Sequence, residues 1–226
     1  MTFNRRTFLG TGVAVAASLS APMVMGAGKP RVVVIGGGVA GEHAAANAIG
    51  LGASVTVIDR SLPRLKELQM RYGTSIRTLA STRLAIAEAV ANADLVIGSV
   101  LIPGAAAPKL VTDEMVSTMR PGAVLVDIAI DQGGCFEGSR PTTHDAPTFA
   151  VHDAVFYCVA NMPGAVPETS TRALTNATLP YVLEVADRGW EAATEADPAL
   201  RLGLNTRSGS VRHAGVARAF GLDLAA

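Results

Sequence analysis

Residues 31–41, RVVVIGGGVAG, constrain the fold more than any other stretch of this chain. Val32, Val33, Val34 and Ile35 form a run of β-branched side chains, as a strand buried on both faces carries. Gly36, Gly38 and Gly41 then supply G-x-G-x-x-G spacing, and the residues beyond, HAAANAIG, are small and helix-prone. The first glycine permits a tight turn, the second lets backbone approach a pyrophosphate, and the third lets helix and strand pack closely. The helix start offers unpaired N–H groups and a positive dipole end to phosphates. A second strand, residues 54–58, leads to Asp59, eighteen residues after Gly41. That is about the spacing of an acid that grips an adenosine ribose. Strand, glycines, helix and acid together point to dinucleotide binding. The alternative is a glycine-rich packing turn with Asp59 as an ordinary strand-end residue.

The rest of the chain repeats this alternation. Ser61 caps a helix with Pro63 in its first turn and Leu62, Leu65 and Leu68 on one face. Residues 75–79 read as a third strand with Ser81 past its end, 82–92 as a helix and 94–100 as a fourth strand. A Pro/Gly/Ala loop follows, and Thr112 caps a helix that ends near Arg120. Residues 123–130, AVLVDIAI, form the most apolar strand and 155–160 the sixth. Strands alternating with helices predict an α/β fold, a doubly wound parallel Rossmann sheet. From about Thr169 the pattern turns helical: 169–187 reads as a long helix with a kink or break expected at Pro180, Gly189-Trp190 begin a further helical stretch ending near Leu202, and a last amphipathic piece covers 211–220. These helices suit part of a second, incomplete lobe.

Breaks at Gly36, Asp59, Ser81, Pro103-Gly104, Asp131 and Asn161 all follow predicted strands. In an open α/β sheet, ligands bind outside the carboxyl ends of the strands, so these places would line one crevice. Asp59 and Ser81 would lie toward adenosine, Asp131 and Asn161 toward nicotinamide.

With 226 residues, 49% of them hydrophobic, the chain can bury one generous core, and its net charge of zero leaves no electrostatic footprint for nucleic acid. Cys135 and Cys158 show no metal-ligand or C-x-x-C spacing and read as core or site-wall residues. The first residues differ in character. Asn4-Arg5-Arg6-Thr7-Phe8-Leu9 is similar to a twin-arginine export signal, followed by an apolar stretch to about Leu19 and by Pro22. A membrane anchor and a cytoplasmic remnant are the alternatives for this segment. The expected division is 1–28 signal-like, 29–167 dinucleotide-binding and 168–226 C-terminal helical. The location would be periplasmic if the signal is used and otherwise cytoplasmic. Membrane contact would come only through this segment.

From about Arg31 to Leu222 the chain resembles the second half of an alanine dehydrogenase. VVVIGGGVAG, LGASVTVIDRSLPRL, ADLVIGSVLIPGAAAPKLV, IDQGGCFEGSRPTTHD, CVANMPGAVP and ALTNATLPYVLEVADRGW carry the match. The family interconverts L-alanine with pyruvate and ammonium, using NAD. The resemblance implies that Asp59, Arg64 and Ser81 hold the adenosine side, and that Val100, Leu101 and Arg140 border the cofactor. It places Ile128, Ala129, Ile130 and Asp131, with Val159, Ala160, Asn161 and Met162, along the nicotinamide half. Asp131 would be the acid beside the substrate. Glu184 matches one ligand of a family metal site, but Arg188 stands where a histidine is expected, so no metal is expected there. The resemblance also implies a homo-oligomer. The family's N-terminal half supplies a cationic pair and a catalytic histidine, which His43, His144, His152 and His213 do not match in position. The sequence therefore predicts a cofactor half with little turnover by itself. The alternatives are a dinucleotide-binding module without turnover and, since the first thirty residues resemble those of an exported flavocytochrome flavin subunit, an exported FAD-binding protein.

Overall fold

The computed structural model describes residues 28–102 and 106–225. The export-like pattern of residues 1–27 and the Pro103-Gly104 break lie outside the described residues. Strands β1 (Arg31–Ile35), β2 (Ser54–Asp59), β3 (Ile76–Ala80), β4 (Leu95–Gly98), β5 (Val124–Asp127), β6 (Thr148–Val151) and β7 (Ala154–Tyr157) form a sheet of order β3-β2-β1-β4-β5-β7-β6. All neighbours pair in parallel except β6, which runs antiparallel to β7 at the edge. The expected Rossmann sheet is present with one strand more than the sequence suggested.

Alternating side chains of each central strand enter two separate apolar layers. Val32, Val34, Val55 and Val57 meet Ala45 and Ala48 of helix α1 (Val39–Gly50) and Leu65 and Leu68 of helix α2 (Leu62–Tyr72). Val33, Ile35, Val96 and Leu125 face the other way, toward Ile86 and Val90 of helix α3 (Arg83–Ala91) and Met115 and Val116 of helix α4 (Asp113–Ser117). Burial on both faces explains why β1 reads as continuous rather than alternating hydrophobicity.

Several boundaries move. The strand expected over 123–130 stops at Asp127, and Ile130–Gln132 form a 3-10 turn. The strand expected over 155–160 ends at Tyr157. Helix α5 (Pro167–Ala196) runs through Pro180 without the expected break, and is interrupted at Gly189, whose φ of 77° and ψ of 154° are not helical, where the sequence begins a further helical stretch. A helix after Pro198, α6 (Pro198–Leu202), leads to a small hairpin of β8 (Thr206–Arg207) and β9 (Ser210–Val211), and helix α7 (Ala214–Phe220) begins only after it. Arg207 lies over the Trp190 ring at 5.2 Å, holding that hairpin against α5.

Candidate active site

The parallel strands bring Ile35, Asp59, Ala80, Gly98 and Asp127 to one edge of the sheet. Strand order reverses between β1 and β4, and a crevice opens at such a switch point. The glycine turn sits there. Gly36 has φ of 103°, and a Cβ on it would lie 2.8 Å from the Ser99 carbonyl. A Cβ on Gly41 would stand 1.9 Å from the Gly36 carbonyl oxygen, so helix α1 reaches the turn only because residue 41 has no side chain. Nothing lies within 4 Å of a Cβ placed on Gly38. Gly38 opens α1 without a side-chain cap, which suits a helix end that receives an anion. Ser99, which the sequence reading missed, donates from Oγ to the Gly36 carbonyl at 2.7 Å and ties the turn to the end of β4.

Asp59 is part of the same turn. Its Oδ2 accepts from Gly37 N at 2.6 Å and its Oδ1 from Ser61 N at 2.7 Å. Ser81 N donates to the Asp59 carbonyl at 2.9 Å. Arg64 is brought to the same corner, where its Nε donates to the Gly37 carbonyl at 2.6 Å. Glu42, in the first turn of α1, accepts from both Arg64 and Arg71. These hydrogen bonds, that of Arg64 first, hold the Glu42 carboxyl below the usual carboxylate range.

The other half of the edge is built by Asp127. This fully buried carboxylate accepts from Ala129 N at 3.1 Å, Cys135 N at 2.9 Å and Ser139 Oγ at 2.6 Å, with Phe136 N at 3.4 Å. It folds residues 129–139 into a loop that buries Ala129 and Ile130 and leaves Asp131 exposed. Ile128 N donates to the Gly98 carbonyl at 2.8 Å and Lys109 Nζ to the Gly133 carbonyl at 2.5 Å. Gln132 Oε1 is buried without a partner among the described residues, which marks this turn as a place suited to a further donor. Burial, reinforced by the Asp127 charge, pushes the Cys135 thiol far above its ordinary range. Burial likewise raises Cys158. Neither thiol is a ready nucleophile at neutral pH.

Beyond β7, Val159 is buried, Ala160 N donates to the Thr142 carbonyl at 3.1 Å, and Asn161 takes φ of 57°, a left-handed conformation that asparagine tolerates. Met162 starts the 3-10 turn after it, and His144 Nε2 lies 3.2 Å from the Asn161 carbonyl oxygen. Val100 packs on the core at the end of β4, whereas Leu101 is exposed. Arg140 stacks over Phe149 at 4.1 Å on the edge hairpin. Away from the site, Glu184 and Arg188 pair at 3.6 Å on α5, and no group of three or more possible metal ligands occurs among the described residues.

Asp127 could have been suspected from the sequence, because an acid interrupts the most apolar strand. Ser99 and Glu42 gave no local signal.

Comparison with known proteins gives one consistent result. The family model described as alanine dehydrogenase/PNT, C-terminal domain, matches residues 5–214. The alanine dehydrogenase of Halomonas elongata is 58% identical over 207 residues, covering 92% of this chain and 56% of that protein. That of Mycolicibacterium smegmatis is 60% identical over 195 residues, 86% of this chain and 53% of its own length. A solved L-alanine dehydrogenase superposes with a TM-score of 0.75 at 48% identity, covering 85% of this chain and 53% of the other. The chain thus spans about half the length of the curated relatives it matches.

Proposed function

This chain belongs to the family of the alanine dehydrogenase/PNT C-terminal domain, and we propose that it is the cofactor-binding half of an NAD-dependent alanine dehydrogenase. The observation that carries this reading is the convergence of the Gly36–Gly38–Gly41 turn, Asp59 and the Asp131 loop on one sheet edge. The residues fit NAD. Open space at Gly38 and the uncapped start of α1 suit a pyrophosphate. Asp59 suits the adenosine ribose, with Arg64 and Ser81 beside it. Val100, Leu101 and Arg140 border the cofactor. Ile128, Ala129, Ile130, Val159, Ala160, Asn161 and Met162 line the nicotinamide half. NAD supplies the hydride acceptor when L-alanine is oxidised to pyruvate and ammonium.

The protein's own contributions are positioning and proton handling. Asp131, exposed at the tip of a loop fixed by Asp127, takes or returns protons as water adds to the imine and ammonia leaves. Holding the substrate carbon against the nicotinamide is worth roughly 7–11 kcal/mol. Three cations near the edge are otherwise engaged: Arg64 by Glu42 and Glu67, Arg140 by Phe149, and Lys109 by the Gly133 carbonyl. A carboxylate clamp for alanine therefore has to come from residues other than these, and this chain alone is expected to bind NADH with little turnover.

The test is fluorescence titration of the purified chain with NADH, followed by NADH formation from L-alanine at alkaline pH. Saturable NADH binding is expected, and its absence refutes the reading. Turnover near an ordinary enzyme median of about 10 per second, abolished by Asp131→Asn, would show that these residues carry the whole reaction. An FAD protein would instead carry a visible chromophore.

Two finer readings belong with this proposal. The exposed Leu174, Leu179, Val182 and Leu183 of α5 support a homo-oligomer formed through that helix, checked by light scattering. The twin-arginine-type pattern would send the chain to the periplasm. The family match runs through that pattern from residue 5 and favours the cytoplasmic alternative, where NAD is plentiful. No helix among the described residues is long and apolar enough to cross a membrane. The mass and first residue of the protein in its own cell decide between the two locations.

A further inference from the structure

Glu42 and Glu67 hold Arg64 and Arg71 in a closed ring of alternating charge. Arg64 Nη2 pairs with Glu42 Oε2, and Arg64 Nη1 with Glu67 Oε2 at 2.7 Å. Arg71 Nη2 lies 3.5 Å from Glu67 Oε1, and Arg71 Nη1 pairs with Glu42 Oε1. Tyr72 donates its hydroxyl to Glu42 at 3.1 Å. The two cations and two carboxylates balance. The Glu42 side chain is the most enclosed member, 12% exposed against 52% for Glu67.

The ring touches the ribose corner through one residue. Arg64 Nε donates to the Gly37 carbonyl at 2.6 Å, and Gly37 N donates to Asp59 Oδ2 at 2.6 Å. Arg64 is therefore the ordered cation next to the acid that meets the adenosine ribose. An arginine in that neighbourhood is what accommodates a 2′-phosphate when the cofactor is phosphorylated there. Its usefulness depends on free donors, because a phosphate is held by paired N–H groups. Here Nε, Nη1 and Nη2 each point one N–H at another acceptor, and the two carboxylates offset the cation's charge, so its hold on a phosphate is weakened although an N–H remains on each Nη.

We propose that Glu42 is a specificity-determining residue: by closing the ring it withholds Arg64 from a 2′-phosphate and, together with Asp59, restricts the site to the unphosphorylated dinucleotide. This rests on the reading of the site as an NAD site. Asp59 repels the phosphate directly, and Glu42 weakens the help of Arg64 in offsetting that repulsion, leaving exposed Arg60 as the other nearby cation. Glu42 acts through Arg64 and does not itself meet the cofactor.

The experiment uses the full chain, titrated with NADH and with NADPH by fluorescence at fixed ionic strength. Glu42→Gln keeps the shape and removes one negative charge. It is expected to raise NADPH affinity relative to NADH on the order of tenfold, the effect of a unit charge at close range in a partly exposed site. Added salt is expected to shrink the gain. Arg64→Met in the Glu42→Gln background is expected to return the ratio to its wild-type value. Glu67→Gln opens the ring on the solvent side and should move the ratio in the same direction, which keeps the test available if Glu42→Gln folds poorly. An unmoved ratio with NADH binding intact overturns the inference and leaves discrimination to Asp59. A gain that survives Arg64→Met also overturns it. A wild-type chain that binds neither NADH nor ADP-ribose overturns the cofactor reading, and this inference with it.

Discussion

Replacing Asp127 by alanine is expected to loosen the nicotinamide side of the site before it unfolds the domain. The Asp127 carboxylate is completely buried, and its oxygens accept from Ala129 N, Cys135 N and Ser139 Oγ at 3.1, 2.9 and 2.6 Å. Alanine leaves those donors without acceptors in a place with little room for water. One buried unsatisfied group costs about 1–3 kcal/mol. Partial relaxation of the loop keeps the total below the simple sum, so about 3–5 kcal/mol is expected, the range for breaking a buried charged arrangement. For a domain of this size each kcal/mol moves the melting temperature by roughly 2–4 °C, so the midpoint should fall by about 6–20 °C. Thermal unfolding by circular dichroism measures this. The functional arm separates positioning from general loss of stability. Residues 129–139 form the loop that the carboxylate holds, whereas the adenosine corner is built by Gly37, Asp59 and Arg64. At a temperature where the variant is folded, NADH affinity should drop tenfold or more while ADP-ribose affinity stays within twofold. Ser139→Ala, which removes one donor and keeps the carboxylate, should give a smaller effect of the same kind. A midpoint within 2 °C of wild type, or equal losses for NADH and ADP-ribose, would refute the reasoning.

Gly41→Ala should abolish NADH binding and lower the melting temperature, because its Cβ would stand 1.9 Å from the Gly36 carbonyl oxygen and 2.6 Å from Ser99 Oγ, and backbone cannot yield as a side-chain tip does. Gly38→Ala, with open space around its Cβ, should fold normally and weaken only the cofactor, as thermal melts and NADH titration will show. Stability should decline above about pH 8.5: the Cys135 thiol is raised by burial, so the unfolded chain loses that proton first and alkali favours unfolding. Melts from pH 7 to 10 should show a steeper fall for wild type than for Cys135→Ser, and equal slopes would count against this account.

What the sequence revealed and what it hid divide along the distance between interacting residues. The glycine turn was legible because strand, turn and helix are consecutive, and each glycine has a local duty. Its partner Asp59 was legible because the fold places it at the end of the next strand. The edge strand β6 was missed, since its hairpin turns on His152-Asp153 with His152 at φ of 50°, without the Asn-Gly or Asp-Gly signal of a two-residue turn. A kink or break was expected at Pro180, yet α5 runs through it. Gly189, where the sequence begins a further helical stretch, is free to take a positive φ and provides the bend. The strand through residues 123–130 looked continuous because apolar residues lie on both sides of Asp127. A carboxylate that accepts the Ala129 and Cys135 amides turns the chain out of the sheet, and those bonds span two and eight residues. The charge ring was less visible still, because Glu42 meets Arg64 and Arg71 across 22 and 29 residues. As separate letters, Glu42 and Arg71 are ordinary helix-surface charges, and Arg64 is a cation that could welcome a phosphate. Only when the fold brings Glu42 against Arg64 and Arg71 does the same arginine become one paired with carboxylates, which on our proposal weakens its pull on a phosphate.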